Sequence, residues 1–304
     1  MSLLEVSGLT KRFGSRAAVD GISLRIAPGR CTALLGPNGA GKTTTLKMLS
    51  GLLAPTSGVV RFQERPDHGD LRDSIGYLPQ YPAFFNWMSG KEFLMLTAGL
   101  ARMSTKAAAD RSGELLERVG LAAAAKRRIG GYSGGMKQRL GLAQAIIHSP
   151  KLLILDEPVS ALDPQGRREV MSLLEEMKRE TTILFSTHVL HDAEEISDDV
   201  LIMNQGRIVV EGDLRQLMRE RQQALIRIKI GGGPMTEWVQ SLSGRPFVRD
   251  AKEIAPGEIE LQVTDISEAR RALLSEMAER GMELERFEIG QTTLEDLFMK
   301  AVQA

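Results

Sequence analysis

Residues 31–50 read CTALLGPNGAGKTTTLKMLS, and this stretch decides the fold. Cys31 to Leu35 reads as a buried strand that runs straight into Gly36. Gly36 to Gly41 is loop, and Lys42 to Ser50 opens a helix. The loop matches G-x-x-x-x-G-K-[ST] through Gly36, Pro37, Asn38, Gly39, Ala40, Gly41, Lys42 and Thr43. Backbone N–H groups of such a loop converge at a helix N-terminus and cradle phosphates. Glycine is expected there because a side chain would block the approach.

The same pattern assigns work to two side chains. Lys42 is expected to reach the β- and γ-phosphates of a nucleotide, and the Thr43 hydroxyl to hold Mg²⁺. By itself the loop says only that a nucleotide is bound. LLILDE, residues 152–157, supplies a matching acidic strand end. Asp156 is expected to support the metal. Glu157, one residue further, can polarise an attacking water; the alternative is an ordinary surface glutamate at a strand end. YSGGMKQRL, residues 132–140, places Ser133, Gly134 and Gly135 at a helix start, a second anion-binding end. Taken alone, Ser133 is as well read as a plain N-cap. Two phosphate sites in one chain make sense if two copies face each other head to tail.

Outward from these motifs the chain reads as a sheet interrupted by helices. LLEVSGL and GISLRIA are short strands near the start. Residues 82–150 are mostly helical: Ser89 and Glu92 form a capping-box pattern, a second helix fits Thr105 to Val119, and a third follows Ser133 with Met136, Leu140, Ala143 and Ile147 on one face. KLLILDEP and TTILFSTH are strands buried on both faces of a parallel sheet. After Gly212 the style changes. A charged linker at 219–223 divides a first domain, 1–218, from a second, 219–304. The second reads β-α-β-β-α-β, a ferredoxin-like arrangement: ALIRIKI, a helix over 234–242, PFVRD, EIELQV, a helix over 267–279, and ELERFEI. Thr292 and Glu295 then form another capping box, ahead of a helix with Leu294, Leu297, Phe298, Ala301 and Val302 on one face.

The order of the motifs resembles the nucleotide-binding subunits of ABC transporters, over roughly residues 2–215. The resemblance implies an α/β P-loop ATPase core, with a parallel sheet, an antiparallel β subdomain and a helical insertion, followed here by a small α+β domain like that of some bacterial exporter ATPases. It implies ATP and Mg²⁺ as cofactors. In that family an aromatic residue ahead of the loop stacks on adenine, and Phe13 in KRFG matches it. Gln80 in GYLPQ matches a glutamine that senses Mg²⁺ and the transmembrane partner. Asp163 in SALD matches a loop crossing the dimer interface, and His188 in STH matches a histidine that contacts the γ-phosphate. Thr44 joins Lys42 and Thr43 in holding phosphates and metal. Ser133 to Gly135 would press on the nucleotide of a second subunit, a copy or a relative, with Glu157 as general base.

Two departures stand out: Met136 replaces the usual glutamine of the Leu-Ser-Gly-Gly-Gln signature, and Ala161 a frequent glycine. YPAFFNWM, residues 81–88, is an aromatic stretch where the family receives its membrane partner; it can equally pack the helical insertion. Lys91, Arg127 and Arg128 read as solvated surface.

Bulk composition is compatible with this. Lys plus Arg and Asp plus Glu both number 39, so no basic excess recommends a nucleic-acid partner. One cysteine, Cys31, excludes an intrachain disulfide and reads as a buried small hydrophobe. No basic, apolar leader and no long apolar window is present, so the pore is expected to be a separate integral membrane subunit, with this chain peripheral on the cytoplasmic face. The competing reading is an ABC-type ATPase acting on ribosomes or DNA. Those relatives carry two cassettes or a long coiled-coil insertion, which this sequence lacks. A P-loop kinase or GTPase leaves SGG, SALD and His188 without a role.

Overall fold

The computed structural model describes residues 2–63, 71, 73–160, 162–220, 224–231, 235–290 and 293–303. Packing divides the chain into two units: Met1–Leu214 with Ala301–Ala304, and Arg215–Lys300.

The first unit opens with strands β1 (Leu4–Phe13) and β2 (Arg16–Ile26), then β3 (Cys31–Leu35), helix α1 (Lys42–Leu49) and β4 (Ser57–Phe62). β2, β1 and β4 form an antiparallel three-stranded sheet, with Leu4 opposite Ile26 on one side and Phe62 on the other. Both strands of the first hairpin run longer than their apolar cores suggest. β1 extends through Thr10–Phe13 and β2 begins at Arg16, because the ladder continues past the buried residues. Hydrogen bonding needs no apolar side chain, so the polar ends gave no alternating signal.

The chain continues through β5 (Ile75–Leu78), α2 (Gly90–Leu100), α3 (Thr105–Arg118), α4 (Gly134–Ala145), β6 (Leu152–Asp156), α5 (Pro164–Met177), β7 (Thr182–Thr187), α6 (Leu190–Ile196), β8 (Asp199–Asn204) and β9 (Arg207–Asp213). Among the described residues the main sheet has the order β5-β6-β7-β3-β8-β9, parallel except for the β8–β9 pair. β3 and β6 are buried at every position, as a doubly covered sheet requires. The ladders pair Leu35 with Thr187 and Asp156 with Ser186. They therefore bring Gly36, Glu157 and His188 to one end of the sheet, the carboxyl end, where open α/β sheets bind ligands.

The helical segment is capped much as its sequence suggests. Ser89 Oγ accepts from Glu92 N at 3.3 Å while Glu92 Oε2 accepts from Ser89 N at 2.8 Å. Ser104 caps α3 and Ser133 caps α4. Ile147, expected on the α4 face, is buried but lies beyond the helix end.

α7 (Leu214–Glu220) leads into the second unit and takes in Arg219 and Glu220 of the expected linker, whose residues 221–223 lie outside the described residues; the boundary expected at 218/219 falls inside this helix. Then come β10 (Ala224–Ile230), α8 (Met235–Leu242), β11 (Val248–Ala255), β12 (Glu258–Val263), α9 (Ile266–Glu279), β13 (Leu284–Gly290) and α10 (Leu294–Gln303). The antiparallel order β11-β12-β10-β13 is that of a ferredoxin-like sheet. Ile226, Ile228, Trp238, Leu242, Ile259 and Leu273 make a separate core. β11 starts two residues after Pro246 and runs on through charged residues, held by pairs such as Lys252 opposite Glu260. Thr292 lies outside the described residues. The box that opens α10 is made one position on, with Thr293 Oγ1 accepting from Asp296 N at 3.2 Å and Asp296 Oδ2 accepting from Thr293 N at 2.9 Å.

Candidate active site

A cavity of about 440 Å³ opens at the carboxyl end of the main sheet. Residues 37–44 form its floor, Arg16, Ala17 and Ala18 one wall, Asn204, Gln205 and Gly206 another, and Gln80 and Glu157 close it. Sequence reasoning anticipated the floor, Gln80 and Glu157. The walls it missed, because hairpin ends and the β8–β9 turn bear no chemical signature and become walls only through folding.

The fold adds a requirement of its own for the loop's glycines. A Cβ on Gly36 would collide with the carbonyl oxygen of Met203, and one on Gly41, whose φ is 106°, with that of Ala18. The loop is thus wedged between backbone segments of its own chain. Gly39, at φ 82°, has open space around it, and within the chain its left-handed backbone is what favours glycine.

Lys42 is 6% exposed, and its ammonium donates to the carbonyls of Gly36 at 2.7 Å and Pro37 at 3.3 Å. Burial pushes its pKa down from the ordinary lysine value, against the opposing pull of Glu157 and Asp156. Glu157 Oε1 lies 3.8 Å from that ammonium. Glu157 Oε2 accepts from His188 Nδ1 at 2.9 Å. The Glu157 backbone is left-handed, at φ 48°, a conformation uncommon for glutamate and found where surrounding structure enforces it. The enforcing contact is visible: Glu157 N donates to Ser186 Oγ at 2.9 Å, and Ser186 Oγ donates to Asp156 Oδ1 at 2.8 Å. Ser186 is thus a site residue that sequence reading passed over; its position two before His188 on a strand ending was the available signal.

Asp156 is 1% exposed and its Oδ1 also accepts from Thr43 Oγ1 at 3.1 Å. A hydroxyl and a carboxylate oxygen this close, beside a cavity floored by the phosphate-binding loop, fit a small hard cation. Such an ion takes one or two protein oxygens and completes its shell with water and phosphate. Among the described residues no cluster of three metal-binding side chains exists, so a metal here would depend on the nucleotide for further ligands.

Other expected residues do not line this cavity. Phe13 is 55% exposed at the end of β1, with the Lys11 ammonium 5.4 Å from its ring centroid. Ser133 caps α4 by accepting from Met136 N at 3.3 Å; Gly134 is exposed and a Cβ there would meet nothing. Asp163 caps α5, its Oδ1 accepting from Gly166 N at 2.8 Å. Ala161 lies outside the described residues. Met136 has a local role: its sulfur accepts from Arg127 at 3.0 Å, and Arg127 lies over the Tyr132 ring at 5.2 Å. Arg127 is exposed, as expected of solvated surface, and makes these two contacts as well. In the aromatic stretch Phe84 packs edge-on against Phe93 at 5.0 Å, while Tyr81, Phe85 and Trp87 are exposed. Cys31 is fully buried and its thiol pKa is raised by desolvation.

A family model described as "ABC transporter" matches residues 19–160, and one described as "ATP-binding protein DrrA1-3-like, C-terminal domain" matches residues 212–302. The chain is 46% identical to the uncharacterised ABC transporter ATP-binding protein YxlF of Bacillus subtilis, across 99% of this chain and 100% of that one. It is 32% identical to the daunorubicin/doxorubicin resistance ATP-binding protein DrrA of Streptomyces peucetius, across 97% and 91% of the two. Among solved structures it is similar to the dimeric ATP-binding cassette MJ0796 in a post-hydrolysis state bound to ADP and Pi: 25% identity, TM-score 0.64, covering 70% of this chain and 99% of that one. Alike over its full length to such subunits, and carrying a buried lysine at the floor of a nucleotide-sized cleft, this chain belongs to the ATP-binding subunits of ABC transporters and is an ATPase.

Proposed function

We propose that Glu157 is the general base of ATP hydrolysis and that the reaction takes place between two closed cassettes. The observation that carries this reading is the Glu157 carboxylate itself. It is 10% exposed on the side chain, faces the nucleotide cavity, and is held between Lys42 at 3.8 Å and His188 at 2.9 Å. Lys42 and the loop amides, with Thr43 and Thr44, hold the phosphates. Thr43, Asp156 and Gln80 would hold Mg²⁺, which when bound would neutralise phosphate charge. Glu157 takes the proton of the attacking water, and His188 steadies the departing phosphate. Phosphoryl transfer of this kind relies on positioning and charge stabilisation.

Ser133, Gly134 and Gly135 serve the nucleotide of the opposing cassette, a second copy or a related subunit. The open space at Gly134 supports this. Among the described residues no atom lies close enough to Gly134 to exclude a side chain there. Asp163 sits at the facing edge, and Phe13 stacks on adenine once nucleotide is present; its exposure supports that. Tyr81, Phe85 and Trp87 form the seat for an integral membrane subunit, which places the chain on the cytoplasmic face of the membrane. Their exposure beside Gln80 favours a docking role over core packing. Among the described residues no helix is long and apolar enough to cross a membrane itself. Likeness to a drug-resistance ATPase supports a small organic compound as cargo. The C-terminal unit is read as a dimer or regulatory module.

The test is light scattering on size-separated Glu157→Gln protein, with and without ATP and Mg²⁺. ATP-dependent dimers that vanish on adding Ser133→Ala support the reading. Nucleotide-bound monomers point to a related subunit or the membrane partner as the missing half.

A further inference from the structure

We propose that Arg167 and Asp192 are a positioning pair that aligns His188 from behind, tying it to the Asp163 turn. The inference rests on the role given above to His188.

Asp192 is 1% exposed, and a buried carboxylate without a cation is strongly unfavourable. Its Oδ1 accepts twice from Arg167, from Nε at 2.9 Å and Nη2 at 2.5 Å, while its Oδ2 is buried without a hydrogen-bond partner among the described residues. A buried ion pair is seldom the most stabilising way to join two helices, since well-packed apolar residues serve equally or better. What it adds is direction: a planar fork meets a carboxylate in a restricted geometry.

The two residues sit one turn past two loops that face the site. Arg167 N donates to Asp163 O at 2.9 Å, so the guanidinium rises from the first turn of α5. Asp192 lies in the first turn of α6, four residues past His188. α6 has only seven residues and its N-cap, Val189, makes no side-chain capping bond. The loop that feeds it is tied locally by Val189 N donating to Thr187 Oγ1 at 3.0 Å, and across the site by His188 Nδ1 donating to Glu157 Oε2 at 2.9 Å. A helix so short has little stiffness of its own. Buried Ala193 and Ile196 and the bond from the Lys178 ammonium to Ile196 O at 2.9 Å fix its far end, while Arg167 anchors the end next to His188 and so guides that side chain's reach to Glu157. In the other direction, any displacement of the Asp163 turn is passed through Arg167 to the histidine.

The experiment is steady-state ATP hydrolysis by the full chain carrying Arg167→Gln with Asp192→Asn. This neutral pair removes the fork without leaving a buried charge. Arg167→Lys tests whether charge alone suffices. We expect kcat of the neutral pair to fall about 10-fold or more, with KM and ATP affinity changed less than about two-fold. We expect partial recovery in Arg167→Lys. In a His188→Ala background the neutral pair should cost less than about two-fold further, because both changes act through one group. Normal kcat in the neutral pair, beside a slow His188→Ala, overturns the pair alone. So does a kcat loss that multiplies in full with that of His188→Ala, or that comes only with lost ATP affinity and a lowered Tm. Normal kcat in His188→Ala overturns the histidine's role and the pair together.

Discussion

The Lys42 ammonium lies 3.8 Å from Glu157 Oε1, yet its hydrogen bonds go to the carbonyls of Gly36 and Pro37. The loop holds its own cation in the cavity, and burial lowers the lysine's pKa. Phosphate can take over those bonds. Lys42→Ala should therefore abolish measurable ATP binding, read by fluorescent nucleotide titration. Glu157→Gln should keep binding and lose about 10²–10⁴-fold in kcat, read by phosphate release. Equal loss of binding in both would contradict the division of labour.

Two glycines separate folding from function. At Gly41 a Cβ meets the backbone of Ala18, and φ is 106°. Gly41→Ala should lower Tm and weaken ATP binding together. At Gly134 a Cβ meets nothing. Gly134→Ala should leave Tm unchanged or slightly raised, keep ATP binding, and lose ATP-driven dimerisation. Thermal melts and light scattering on both variants decide this.

Ser186 joins Asp156 and Glu157 through one hydroxyl. Ser186→Ala should cost about 1–3 kcal/mol in denaturant unfolding, since a buried carboxylate oxygen and an amide each lose a partner. It should also reduce kcat, because the left-handed Glu157 backbone loses the bond that holds it. Ser186→Thr, which keeps the hydroxyl, should recover more activity than Ser186→Ala. Identical activity in the two would show that the hydroxyl is unnecessary.

The aromatic stretch divides by exposure. Phe85→Ala and Trp87→Ala should shift stability by no more than about 0.5 kcal/mol and impair co-purification with the membrane subunit. Phe84→Ala, which removes the contact with Phe93, should cost about 1–3 kcal/mol. Undiminished co-purification of a Phe85, Trp87 double variant would remove the docking role.

Much of this was legible in the chain. Fully buried strands such as Leu152–Asp156 show as unbroken apolar runs, Ser89 and Glu92 announce a helix start, and Gly36 to Thr43 declares a phosphate cradle. These signals are local: they depend on backbone conformation and burial within a few residues. Polar strand ends such as Thr10–Phe13, and the charged edge strand Val248–Ala255, were shorter or displaced on paper. What holds them is pairing with a distant partner rather than any pattern of their own.

The sequence by itself determined the nucleotide loop, the acidic strand end, the order of motifs and the β-α-β-β-α-β tail. Only the tertiary structure decided what meets what. The parallel register of β3, β7 and β6 sets Lys42, Ser186, Asp156, Glu157 and His188 side by side although they are spread over residues 42–188. It also turned two loop glycines into packing requirements and joined Arg167 to Asp192 across 25 residues. The reason is physical: periodicity and capping act along the chain, whereas ladder register, side-chain burial and ion-pair geometry arise between segments that the sequence does not place together.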